Sequence, residues 1–255
     1  MKRIDLNCDL GESFGAYRIG ADEQMLALVT TANVACGWHG GDPEVMAKTF
    51  AKAKELGVAV GAHPGYADLW GFGRRVLPHS AGEIERLVAY QIGAAQAMAA
   101  YAGHRITHVK AHGALGNLAA DNAEVATAVV RAVKAVDSSL IALVIAGTEG
   151  NKAAERHGLA LAREIFADRA YTDRGTLVPR NEPGALLHDA GVAAKRILLM
   201  LEEGAVIAVS GKRIPVGIDT VCVHGDTPEA VAMARELRRV LEHAGWTIQA
   251  FRDTS

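Results

Sequence analysis

Asp5, Asn7 and Asp9 stand at alternate positions of IDLNCDLGE, with Glu12 close behind. In an extended strand this spacing puts the three side chains on one face and leaves Asp9 and Glu12 at the strand's end. Histidines arrive at the ends of other apolar runs: His39 with Asp42 in CGWHGGD, His63 in GAHPGY, and His224 with Asp226 in CVHGD. His108, Lys110 and His112 alternate along THVKAHGAL and share one face of a further strand. A buried lysine needs a carboxylate or a bound anion, and Asp5 or Asp9 is the expected counterion. One strand-end imidazole commonly does no more than bond a turn carbonyl. Four strand ends that supply His or Lys, with carboxylates on the first strand, exceed what core packing requires. FADRAY and LVPR add Asp168, Arg169 and Arg180, groups suited to clamping a carboxylate, whereas Arg74 and Arg75 after GFG read equally well as surface cations.

Two chemistries fit this set. Asp9, His39 and His63 offer the oxygen and nitrogen donors of a Zn or Mn site with an open position, where bound water is the nucleophile. Alternatively, Asp9 or Glu12 activates water directly while a His or Lys110 stabilises an oxyanion. No HExxH spacing favours the metal, and both stand open. Asp9, Glu12, His63, Lys110 and His112 are therefore the expected catalytic groups, and Asn7, His39, Asp168, Arg180 and His224 the expected substrate contacts. The remaining histidines, His79, His104, His157, His188 and His243, lack such company and read as surface residues. Cys8, Cys36 and Cys222 show no CxxC spacing and read as reduced packing residues. GAVIAVSGK (204 to 212) lacks the first glycine of a P-loop, and no GxGxxG opens a helix; any ATP use calls for an unusual site or a partner protein.

The elements that must position these groups are legible in the hydrophobic pattern. Short apolar runs recur at 4 to 8, 31 to 36, 58 to 62, 106 to 110, 140 to 145, 159 to 165 and 219 to 223. Runs such as VAVGA and IALVI are apolar on both faces, as in parallel strands covered by helices. The predicted class is α/β, a parallel (β/α) barrel of seven strands, in which the loops after the strand ends meet on one face. Asp42 with Pro43 opens a helix over 43 to 56 that Gly57 ends, Ser80 and Glu83 form a capping box, Asp121 with Glu124 opens another helix, and Thr227 with Pro228 the last. The segment 183 to 204 is helical in pattern, and VIAVSGKRIPV after it reads as a hairpin carried on the barrel. Residues 1 to 255 are expected to form one domain, half of them apolar. The formal net charge of -2 and the absence of a basic run exclude a nucleic-acid or anionic-membrane binder. Carboxylates interrupt the first apolar stretch, so no signal peptide or membrane span can be drawn, and a cytoplasmic protein is expected.

DLNCDLGE (5 to 12), NVACGWHGGD (33 to 42), GAHPGY (61 to 66), HVKAHGALGN (108 to 117), FADRAY (166 to 171), LVPR (177 to 180) and CVHGD (222 to 226) occur in order across the chain and closely resemble the LamB/YcsF family. The resemblance implies a distorted seven-stranded (β/α) barrel related to sugar and polysaccharide deacetylases, of the glycoside hydrolase/deacetylase superfamily. It also implies the activity of the 5-oxoprolinase A component, opening 5-oxo-L-proline to L-glutamate as ATP goes to ADP and phosphate, with companion subunits B and C; a stand-alone metal-dependent amide or N-acetyl hydrolase and a non-catalytic binding or scaffold subunit are the alternatives. This sequence departs from the family pattern at Ala111 (Pro), Gly116 (Tyr), Trp38 (Phe) and Gly40 (Ala), while the polar residues are kept.

Overall fold

The computed structural model describes residues 2–225 and 229–251. Asp226 and the expected helix start at Thr227 and Pro228 lie outside the described residues. In chain order the strands are β1 (Lys2–Leu10), β2 (Thr31–Ala35), β3 (Ala59–His63), β4 (Ile106–Lys110), β5 (Ile141–Ile145), β6 (Leu161–Phe166), β7 (Ala205–Ile207), β8 (Arg213–Pro215), β9 (Thr220–Cys222) and β10 (Trp246–Ile248). β1 to β6 pair in sequence, all parallel, and β9 bridges β6 back to β1, closing a seven-stranded barrel. Its strands are the seven apolar runs. The expected hairpin is β7 paired antiparallel to β8. β10 was not foreseen; it pairs with the first residues of β1, outside the closed ring.

The helices are α1 (Asp22–Leu26), α2 (Pro43–Glu55), α3 (Ala81–Tyr101), α4 (Gly113–Asp121), α5 (Ala123–Val136), α6 (Glu149–His157), α7 (Ala190–Glu203) and α8 (Ala230–His243). Two caps behave as the sequence predicts. Asp42 accepts from the Val45 amide at 2.9 Å with Pro43 at the first helical position, and Ser80 with Glu83 forms the capping box. Two expectations need correction. Asp121 is the last residue of α4, and it is Asn122 whose side chain accepts from the Glu124 and Val125 amides to start α5. The helix expected from 183 begins only at Ala190, where Asp189 accepts from the Val192 amide at 2.8 Å; Pro183 and Gly184, the latter at φ +77°, hold the chain in a turn before it.

Apolar side chains such as Phe50, Ile84, Val88, Ile92 and Leu237 pack in the layer between strands and helices. The inside of the barrel is different: Asp5, Asn7, Asp9, Thr31, Asn33, His108, Lys110, Glu164 and Thr220 are all buried there. His108 fits only because β3 carries Gly61 opposite it, where a Cβ would lie 2.3 Å from the His108 Nε2.

Candidate active site

The barrel interior is layered along β1. At its base, Asp5 Oδ1 accepts from Thr30 at 2.7 Å and Thr31 at 2.6 Å, and Oδ2 accepts from Thr220. Burial raises the Asp5 carboxyl to about 6 despite these bonds. One layer higher, Asn7 donates to Thr220 Oγ1 at 2.7 Å and accepts from Asn33 Nδ2 at 2.8 Å, while His108 Nε2 donates to Asn33 Oδ1 at 2.8 Å. Burial and the Lys110 charge lower His108 to about 3, so its ring is neutral.

At the C-terminal ends of the strands the charge collects. Lys110 Nζ donates to Asp9 Oδ1 at 2.8 Å, lies 2.8 Å from Glu164 Oε1 and 3.2 Å from Cys222 Sγ, and sits 5.2 Å from the centre of the Phe166 ring. Burial opposes both charges, yet His63 and Lys110 hold the Asp9 carboxyl well below its ordinary range, and Asp9, Cys222 and Glu164 hold the lysine well above its own. Asn33 also donates to Asp9 Oδ1, at 2.9 Å. Asp9 Oδ2 faces His63 Nε2 at 3.3 Å and His224 Nε2 at 3.9 Å. His224 is set by Asp168, whose Oδ2 accepts from Nδ1 at 2.7 Å.

Beside Asp9 lies a second group. His63 Nδ1 donates to the Lys110 carbonyl at 2.8 Å, and His112 Nε2 donates to the Phe72 carbonyl at 2.8 Å. A carbonyl can only accept, so these nitrogens carry the protons and the opposite ones, His63 Nε2 and His112 Nδ1, face each other at 3.0 Å. Glu12 Oε1 lies 3.4 Å from His112 Nδ1 and 3.3 Å from His39 Nε2, and the His39 ring stacks on His112 with centroids 3.5 Å apart. Burial keeps His39 and His112 neutral, their pKa values far below the usual imidazole range. His39 Nδ1 has no hydrogen-bond partner among the described residues. Glu12 Oε1, His39, His63 and His112 each offer a ligand atom, and these atoms lie within 4.8 Å of one another. Donors bonded to one zinc at about 2.0–2.1 Å stand roughly 3.3 Å apart in a tetrahedron, so the spacing within Glu12, His39, His63 and His112 fits a divalent metal. Phe72, which fixes His112, is the one non-glycine residue with positive φ, +55°, among the described residues. That strained backbone belongs to the loop that orients a candidate ligand.

Of the expected metal ligands Asp9, His39 and His63, the two histidines thus group with Glu12 and His112, whereas Asp9 groups with Cys222 and His224. Lys110 pairs with Asp9; the other counterion considered, Asp5, is taken up by three threonines. A cavity of about 460 Å³ opens on Asp9, Glu12, His63, Lys110, His112 and His224, and its wall also carries Arg74, Arg169 and Arg180. Asn7 and His39, expected as substrate contacts, are buried beneath this surface, and Asp168 acts through His224. Arg169 is 3% exposed; burial and the Arg180 charge lower it to about 10, its guanidinium donates to the Val178 carbonyl, and its Nε has no hydrogen-bond partner among the described residues. Glu164 was missed by sequence reasoning. The alternation of LAREIF held the signal: Arg163 turns outward to bond Asp219, so Glu164 must turn inward.

Fold and site together define a closed seven-stranded (β/α) barrel with a buried carboxylate, lysine and histidine cluster at its strand ends. The catalytic domain of peptidoglycan N-acetylglucosamine deacetylase from Eubacterium rectale matches it with a TM-score of 0.55 over 100% of this chain and 90% of that one; at 12% identity this is a likeness of fold. The LamB/YcsF family model matches residues 4–255, and the chain belongs to the LamB/YcsF family. A relative from Gluconobacter oxydans, named as the A component of 5-oxoprolinase, is 58% identical over 249 residues, 98% of each chain. The crystal structure of a lactam utilization protein from Thermus thermophilus is similar with a TM-score of 0.91 and 44% identity, covering 97% of this chain and 99% of that one. Among the described residues no helix is long and apolar enough to cross a membrane.

Proposed function

We propose that this chain is the A component of an ATP-dependent 5-oxoprolinase, the barrel in which the lactam of 5-oxo-L-proline is opened to L-glutamate while companion subunits B and C handle ATP. The observation that carries the reading is the ionised Asp9, held by Lys110 beside His63 and His224 at the floor of a cavity whose wall bears Arg169 and Arg180. The names of full-length relatives, as 5-oxoprolinase A components and as a lactam utilization protein, support it.

An unstrained five-membered lactam resists water. Phosphorylation of its amide oxygen turns that oxygen into a leaving group, and with no P-loop in this chain that step falls to the companions. Asp9 Oδ1 is occupied by Lys110 and Asn33, which leaves Oδ2 to orient and deprotonate water attacking the activated carbon. Breaking the ring carbon–nitrogen bond of the adduct leaves an acyl phosphate that a second water hydrolyses to glutamate and phosphate; the freed nitrogen takes a proton, and His224, held by Asp168 with its Nε2 3.9 Å from Asp9 Oδ2, stands beside the reacting groups to supply it. Arg180 with Arg169 binds the substrate carboxylate. Glu12, His39, His63 and His112 would hold a Zn or Mn ion, which when bound supplies Lewis-acid polarisation of the amide oxygen.

That Glu12 and histidine group also favours a second reading, metal-dependent hydrolysis of an amide or N-acetyl group without ATP. The test is release of glutamate and phosphate from 5-oxoproline and ATP with this chain alone, with B and C alone, and with all three. Coupled release only in the full mixture, lost on Asp9→Asn, is the expected result. Turnover of an amide by this chain with Zn or Mn and no ATP would establish the second reading in its place, and a full mixture that releases no glutamate would overturn the first.

A further inference from the structure

The cavity at the reaction centre has an apolar arm that opening a five-membered ring does not need. Lys110 and Leu143, paired across β4 and β5, point into the barrel; Val109, Ala142 and Val144, at the alternate positions, point toward the helices, and all five line the same cavity. It therefore straddles the ends of β4 and β5, with one arm inside the barrel and one behind its wall. α4 and α5 face the outer arm with Ala119, Ala126, Val130 and Val133, all buried. Gly116 borders it too, where a Cβ would stand 2.5 Å from the Ala111 carbonyl oxygen, so no side chain from this position can fill the space without a backbone shift. The total of about 460 Å³ lies in the range of about 300–1,000 Å³ that accommodates drug-sized ligands, well beyond a bare lactam.

A void lined by small apolar side chains forfeits packing and stays dry unless an apolar group enters it. We propose that the outer arm is a subsite for a hydrocarbon substituent, and that the substrate class includes lactams bearing a straight alkyl chain of a few carbons on the ring. The lactam head group rests on the function proposed above; the affinity of the arm for hydrocarbon does not.

Two measurements test this. Benzene titrated into the full chain, followed by methyl NMR, gives saturable shifts at Val129, Val130, Val133 and Val144, and Val130→Phe abolishes them; Ala126→Leu serves should the Phe variant fold poorly. No saturable shift in the wild type overturns the proposal. In the three-subunit mixture, ring-alkylated 5-oxoprolines of increasing chain length show KM falling about threefold to fourfold per methylene until the arm is full. Val130→Phe erases that trend while bare 5-oxoproline kinetics stay within about twofold. A KM flat or rising with chain length in the wild type overturns the substrate class. Saturable benzene shifts in a chain whose mixtures never turn over 5-oxoproline support the apolar arm and remove the lactam head group alone.

Discussion

The lower and upper halves of the barrel interior use the same kinds of residue to opposite ends. Around Asp5, Asn7 and His108 each charged or amide group meets a partner inside the fold: three threonine hydroxyls for the carboxylate, a threonine and an asparagine for Asn7, Asn33 for the imidazole. Around Asp9 the demand exceeds the supply. His39 Nδ1 and Arg169 Nε find no hydrogen-bond partner among the described residues. Satisfied polar networks make a rigid floor; unsatisfied ones await a ligand. The difference between scaffold and site in this barrel lies in completeness of bonding, since residue type and burial are shared.

Substitutions in the two halves should therefore separate activity from stability. The largest effect is expected from Asp9→Asn, which keeps the shape and removes the base proposed above: glutamate release by the proposed three-subunit assembly falls about 10²–10⁴-fold, and a fall of less than tenfold would return Asp9 to the scaffold. Lys110→Met leaves Asp9 and Glu164 buried without their cation, and urea unfolding should register a loss of about 3–5 kcal/mol. Asp5 gives a pH signature. Its folded carboxyl titrates near 6, above the unfolded value of 3.8, so the folded chain holds the proton more tightly and stability falls as pH rises between those values. Asp5→Asn has no such loss, and its stability relative to wild type should improve by about 2–3 kcal/mol from pH 4 to pH 7; a pH-independent difference would mean that burial does not set this carboxyl. Thr220→Val removes the donor to Asp5 and the acceptor for Asn7, at a cost of about 1–3 kcal/mol, with turnover per folded molecule unchanged within about twofold. A large loss of turnover there would break the division between halves.

The seven barrel strands were legible because each is apolar toward the helices and bounded by turn residues, and the convergence of His39, His63, Lys110 and His224 followed from parallel topology. β10 escaped because three residues pairing with the end of one strand carry no periodic signal. Depth within the barrel escaped as well. Period two says which face His108 and Lys110 share, but only the register against Gly61 and Asn33 shows that the first lies in the floor and the second at the mouth. Asn7 and His39 were read as substrate contacts for the same reason, since alternation fixes a face and not a height. Glu164 sat inside a run taken as plain strand, and its inward turn becomes visible once Arg163 is assigned to Asp219.

The seam where β9 meets β1 has a kinetic consequence. The side-chain bonds from Thr220 to Asp5 and Asn7 span 215 and 213 residues of chain, and Lys110 reaches Cys222 across 112. Contacts of such long sequence separation close late and slowly. Refolding should thus recover helix signal well before any ligand-binding competence, and a chain interrupted before β9 would carry every histidine of the Glu12 group yet lack Thr220, which ties Asp5 and Asn7 together, and Cys222 beside Lys110.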